Sequence, residues 1–114
     1  MKDDRLYIER ILECVDRILD HRREGEAVFL RCGSIQDAVL RNLQILAEST
    51  QRLSPEMNTA HPEVEWNEIA GFRNVLVHDF LGIDLQRIWE IVSLDLPGLK
   101  VHMESIRGGP PAPE

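Results

Sequence analysis

Arg73, Asn74 and His78 stand together in the stretch Gly71-Phe72-Arg73-Asn74-Val75-Leu76-Val77-His78-Asp79-Phe80, where polar side chains interrupt an otherwise apolar helix end. A guanidinium is a permanent cation whose planar fork matches phosphate oxygens. An imidazole gains or loses a proton near neutrality, which suits acid or base work. Helical geometry limits what one chain can do with the pair. At about 100° per residue, Asn74 and His78 fall within about 40° of each other on one face, whereas Arg73 and His78 lie about 140° apart. One helix cannot easily aim both at a single small atom. Two copies facing each other across a two-fold axis could, with the arginine and histidine of each lining a shared cleft. The plainer reading of the same residues is a capped helix end. There His78 would be stabilised by the helix dipole, and Arg73 would pair with an acid such as Glu68 or Glu48.

The elements that must position this segment are helical. From residue 3 to about 22, Leu6, Tyr7, Ile11, Leu12, Cys14, Val15, Ile18 and Leu19 form two adjacent apolar stripes, a width that suggests contact with both the chain's own core and a second surface such as a partner chain. Gly25 breaks the pattern, and the short apolar run Ala27-Val28-Phe29-Leu30 ends at Gly33. Ser34-Ile35-Gln36-Asp37 has the form of a capping box, opening a second long helix to about Gln51. On it Arg41 and Glu48, seven apart, share a face and read as a salt-bridged surface or as support for the motif. Residues 52 to 61 read as a loop with at most one helical turn at Ser54-Pro55. Pro62 suits a first helical position for a third main helix ending near His78 or Asp79. Asp84 is a plausible N-cap for the next helix, and Pro97 marks a break or a new first turn. Trp66 and Trp89 read as core or interface residues. Residues 1–107 form one helical domain, and the Gly/Pro-rich residues 108–114 form a disordered tail.

Composition excludes several classes. A chain of 114 residues suffices for one domain. Its longest apolar runs fall far short of the ~20 residues that a bilayer requires, and its N-terminus lacks a signal-peptide pattern. The expectation is a cytoplasmic protein without membrane contact. There is no phosphate-binding glycine loop, no CxxC and no HExxH, and His21, His61, His78 and His102 lack ligand-like spacing, so neither metal nor cofactor is expected. Cys14 and Cys32 read as buried small hydrophobes. A net charge of −7 argues against nucleic-acid binding by bulk charge. Yet 11 of the 13 basic residues are arginine, so any such contact must be local.

The ordered set Arg73-Asn74-x-x-x-His78, Gly82-Ile83-Asp84-Leu85, Trp89 and Asp95-Leu96-Pro97-Gly98-Leu99 resembles the HepT-like toxins of the HEPN superfamily. Gln36-Asp37-Ala38-Val39, Arg41-Asn42-Leu43, Ala47-Glu48 and Trp66-Asn67-Glu68-Ile69-Ala70-Gly71 match it upstream, so the likeness runs from about residue 5 to 106. The resemblance implies an all-α bundle of four to five helices that dimerises and joins two R-x4-H motifs in one cleft. It implies a metal-independent RNA endonuclease, silenced by an MntA-like nucleotidyltransferase antitoxin. Arg73 and His78 would be the catalytic pair, with Asn74 as their polar companion. In silenced members a tyrosine two positions after the histidine receives AMP. Phe80 stands there in this chain and has no hydroxyl to modify. The competing expectation is a non-catalytic helical dimer that docks a nucleotidyltransferase or binds a nucleotide.

Overall fold

Helix α1 (Lys2–Arg22) owes its apolar stripes to two neighbours within the chain. Ile8, Ile11, Leu12, Cys14, Val15 and Ile18 are all buried, because α1 packs along α3 (Gly33–Gln51) on one side and α7 (Leu96–Gly108) on the other. The second surface expected of this helix is therefore supplied mainly by its own fold, and Leu6 is the large apolar residue of α1 left exposed. The computed structural model describes the backbone of residues 2–77 and 84–108, and their side chains except at positions 2, 3, 74 and 77. Those residues are helical throughout apart from short turns, and none of their helices is long and apolar enough to cross a membrane. The all-α expectation holds, with four main helical stretches and two short ones.

A turn at Gly25 joins α1 to α2 (Glu26–Arg31). Its φ of 95° lies in the left-handed region that side chains with a Cβ avoid, which is why glycine stands there. The capping box expected at Ser34 does not form. Helix α3 starts two residues earlier with Cys32 as its cap, and the Gln36 side chain reaches back to the Phe29 carbonyl at 2.9 Å. The expected loop after α3 holds α4 (Pro55–Ala60), capped by Ser54 Oγ accepting the Met57 N–H at 3.1 Å. Pro62 is not helical. The His61 carbonyl instead accepts both the Val64 N–H and the Trp66 indole N–H, and α5 (Trp66–Val77) begins at the tryptophan.

Asp84 caps α6 (Leu85–Glu90) by accepting the Arg87 N–H at 3.1 Å, as expected. Pro97 stands in the first turn of α7, one of its two expected places, without breaking the chain of helices. It has no N–H for the carbonyl four residues back and crowds it, and the backbone widens into a π turn over Ile91–Asp95 before continuing as α7. The widened turn keeps Ile88, Ile91, Val92, Leu96, Leu99 and Met103 facing the core while turning Leu94 outward at 75% exposure. Phe29 of α2 packs against Trp89 of α6 with ring centres 5.5 Å apart.

Candidate functional site

Phe72 and Ile69 anchor α5 in the core, with Val75 and Leu76 packed against its edge. Arg73 follows Phe72 and so emerges on the exposed side. Its Nη1 donates to Gln51 Oε1 at 3.2 Å, at the last residue of α3. The carboxylate partner expected from Glu68 or Glu48 is not there. Glu68, five residues before Arg73, lies about 140° around the helix and lines a different cavity of about 180 Å³ with Phe72 and His102. Glu48 accepts a weak hydrogen bond from Gln44 at 3.4 Å. A neutral amide orients the guanidinium without cancelling its charge, which leaves that charge available to an anion. Asn74 is the next residue of α5. His78, Asp79 and Phe80 lie outside the described residues, as does the tail beyond Gly108.

A second feature was not read from the sequence. Between α1 and α3 runs a groove of about 490 Å³ whose walls carry Arg10 and Arg17 from α1, Arg41 from α3 and Arg52 from the C-cap of α3. Tyr7 lines it too, with the Arg10 guanidinium 5.9 Å from its ring centre, and so does Glu48. The signal was present. Spacings of seven (Arg10 to Arg17) and eleven (Arg41 to Arg52) each return to about the same helix face. What the sequence could not show is that these two faces border one groove. The Arg41–Glu48 face exists, but not as a salt bridge. Among the described residues the Arg41 and Arg52 side chains have no ion pair or hydrogen bond.

Other candidates fall into structural roles. Trp66 and Trp89 are half-buried packing residues. Cys14 lines the groove floor, and burial pushes its thiol above the usual range. Cys32 departs from expectation. It is only partly covered, and a hydrogen bond with the Ser34 hydroxyl at 3.4 Å holds its thiol below the usual range. Among the described residues no group of three His, Cys, Asp or Glu side chains is placed to hold a metal ion.

The fold is thus an all-α bundle of the HEPN type. Residues 9–106 match the family model described as ribonuclease HepT-like, and the chain belongs to that family. It is 34% identical over 102 residues to a Thermococcus cleftensis protein described as a probable ribonuclease HepT, covering 89% of this chain and 93% of that one. A Caldanaerobacter subterraneus protein described as a candidate RNase is 32% identical over 108 residues, covering 93% and 96%. A Methanocaldococcus jannaschii protein described as a γ-glutamylcyclotransferase and candidate RNase is 33% identical over 106 residues. This chain spans about half (48%) of that relative's length. No solved structure gives a significant match.

Proposed function

We propose that the chain is a metal-independent RNA endonuclease of a toxin–antitoxin pair, with Arg73 and His78 of two subunits lining one cleft. The observation that carries this reading is the exposed Arg73, held by the neutral Gln51 at 3.2 Å in a chain of the HepT-like family. Attack of a ribose 2′-oxygen on the adjacent phosphorus breaks the bond to the 5′-oxygen, leaving a cyclic phosphate and a 5′-hydroxyl. One proton must leave the 2′-hydroxyl and one must reach the departing oxygen. His78 performs that transfer, a contribution of about 10²–10⁴-fold for a positioned acid or base. Arg73 holds the non-bridging oxygens, where negative charge grows in the transition state. Asn74, one turn before His78, orients the imidazole or the phosphate.

Two-fold symmetry meets the demand that one helix cannot, since about 140° separates the two side chains. With Phe80 in place of the modifiable tyrosine, adenylylation at that position is closed, so an MntA-like nucleotidyltransferase would silence the chain by complex formation or at another residue, or the chain is not regulated that way. The non-catalytic reading keeps the net charge of −7 but loses its other support, because the wide apolar face of α1 is covered mainly by α3 and α7. The test is cleavage of a labelled RNA in the presence of EDTA. His78→Ala should lower the rate by about 10²–10⁴-fold. Undiminished cleavage by that variant would rule the mechanism out.

A further inference from the structure

We propose that the groove between α1 and α3 binds the sugar–phosphate backbone of single-stranded RNA and leads the strand toward Arg73. The identity of the polyanion rests on the ribonuclease reading above; the site itself rests on the groove.

Four guanidiniums, from α1, from α3 and from its C-cap, line one concavity against the two carboxylates Glu13 and Glu48, in a chain that carries 20 acidic residues against 13 basic ones. With acids in such excess, arginines without acidic partners are unexpected. Among the described residues Arg41 and Arg52 have none, and Arg10 is engaged only with the face of Tyr7. Arg17 pairs with Glu13 of its own helix at 3.2 Å, both side chains more than 60% exposed. Such exposed pairs are weak and exchange readily for a phosphate. From Arg41 to Arg52 the wall extends about 16 Å along α3, room for a run of phosphates rather than one. The half-buried Tyr7 adds a planar surface of the kind on which unpaired bases stack.

The groove also points somewhere. Arg52, at its α3 end, immediately follows Gln51, the residue that holds Arg73. A strand lying along Arg41 and Arg52 therefore arrives beside the proposed cleavage site. The net charge of −7 opposes binding elsewhere on the surface, which makes the groove a guide and not a general adhesive.

The experiment uses the full chain and a fluorescent, fully 2′-O-methylated RNA of about 12 nucleotides, within the usual span of single-strand sites. Such a strand has no 2′-hydroxyl to attack, so binding is read without cleavage. Anisotropy titrations from about 50 to 200 mM salt give affinity and its salt slope. Arg41→Gln combined with Arg52→Gln should weaken binding at least about tenfold and reduce the slope by about 1.4, two phosphates' worth for a single strand. Glu48→Gln, which removes a negative charge from the same wall, should tighten binding. Unchanged affinity and slope in the double variant, or no tightening in Glu48→Gln, overturns the proposal. The two readings separate cleanly. Loss of the groove result with His78-dependent cleavage intact removes only the groove. Groove binding with no cleavage removes only the nuclease.

Discussion

Helix α1 has two seams, and they treat charge in opposite ways. Along α7, cations meet acceptors: Lys100 lies 2.9 Å from Asp16, Arg107 lies 3.4 Å from Glu9, and Arg22 donates to the Ser93 hydroxyl of the π turn at 3.3 Å. Along α3, Arg10, Arg41 and Arg52 have no carboxylate partner among the described residues. Both seams belong to one acid-rich chain, so a shortage of carboxylates does not explain the difference. The α7 seam pairs its charges across the two helices. The α3 seam leaves its guanidiniums available to an outside anion, as Arg73 is left with an amide as its partner among the described residues.

The α3 seam has its own fastening at one end, and breaking it should give the largest loss of stability. Asp4 is 4% exposed and accepts hydrogen bonds from the Ser54 N–H at 2.8 Å and the Ser54 hydroxyl at 2.6 Å, tying the start of α1 to the cap of α4. Burial pushes this carboxyl upward, but the two Ser54 hydrogen bonds together with the N-terminal amine outweigh it and hold the group below the usual carboxylate range. Asp4→Ala should cost about 2–3 kcal/mol in urea unfolding, since hydrogen bonds to a charged acceptor are lost and the Ser54 donors are stranded. The pH dependence has a definite sign. A depressed folded-state pKa gives stability that is complete above the unfolded value of about 3.9 and is lost as pH falls through the folded value. The gap between wild type and Asp4→Asn should therefore be full near neutrality and shrink below about pH 4. A gap that widens in acid would show that the carboxylate is not the stabilising species.

The second contrast, an arginine with an amide against a cation with an acid, can be altered at one residue. Gln51→Glu gives Arg73 the carboxylate that the α7 cations already have. The exposed site should still fold, and RNA cleavage should fall about tenfold as the new anion competes with phosphate. Gln51→Ala removes the tether but not the charge, and should cost less than Gln51→Glu. Equal or higher cleavage in Gln51→Glu would mean that the charge of Arg73 is not what the site uses.

How much of this was legible beforehand depends on distance along the chain. Local rules worked for the Asp84 cap, for α1 as an amphipathic helix and for Gly25 as its stop. They failed where a neighbour in space decided the outcome. Ser34 had a capping-box sequence, but the tight passage from α2 into Cys32 started the helix ahead of it. At Pro97 the local rules left a break and a new first turn both open; the proline does stand in the first turn of α7, but the widened backbone ahead of it, which keeps a core row from Ile88 to Met103 together, was not read. Arg73 was legible as a chemically capable residue, whereas its partner Gln51, 22 residues away, was not. The groove went unread for the same reason, since two ordinary arginine spacings gain meaning only when α1 and α3 lie side by side.

The smallest expected effect tests the seam that looks purely structural. Lys100 and Asp16 are 35% and 59% exposed, and Arg107 and Glu9 are 41% and 48% exposed. The Asp16 hydrogen bond and charge raise the Lys100 pKa, so the lysine stays charged through neutral pH and the pair is formed there. Solvent screening leaves such pairs little net worth, because the attraction scarcely exceeds the cost of fixing two long side chains. Lys100→Ala combined with Arg107→Ala should shift the melting midpoint by less than about 4 °C. The same double variant should bind 2′-O-methylated RNA and cleave unmodified RNA as the wild type does, since both cations are already committed to carboxylates. If removing these two paired cations weakened RNA binding as much as removing Arg41 and Arg52, pairing would not distinguish the seams. The strand would then follow the chain's positive charge wherever it stands, and the α3 groove would have no special claim on it.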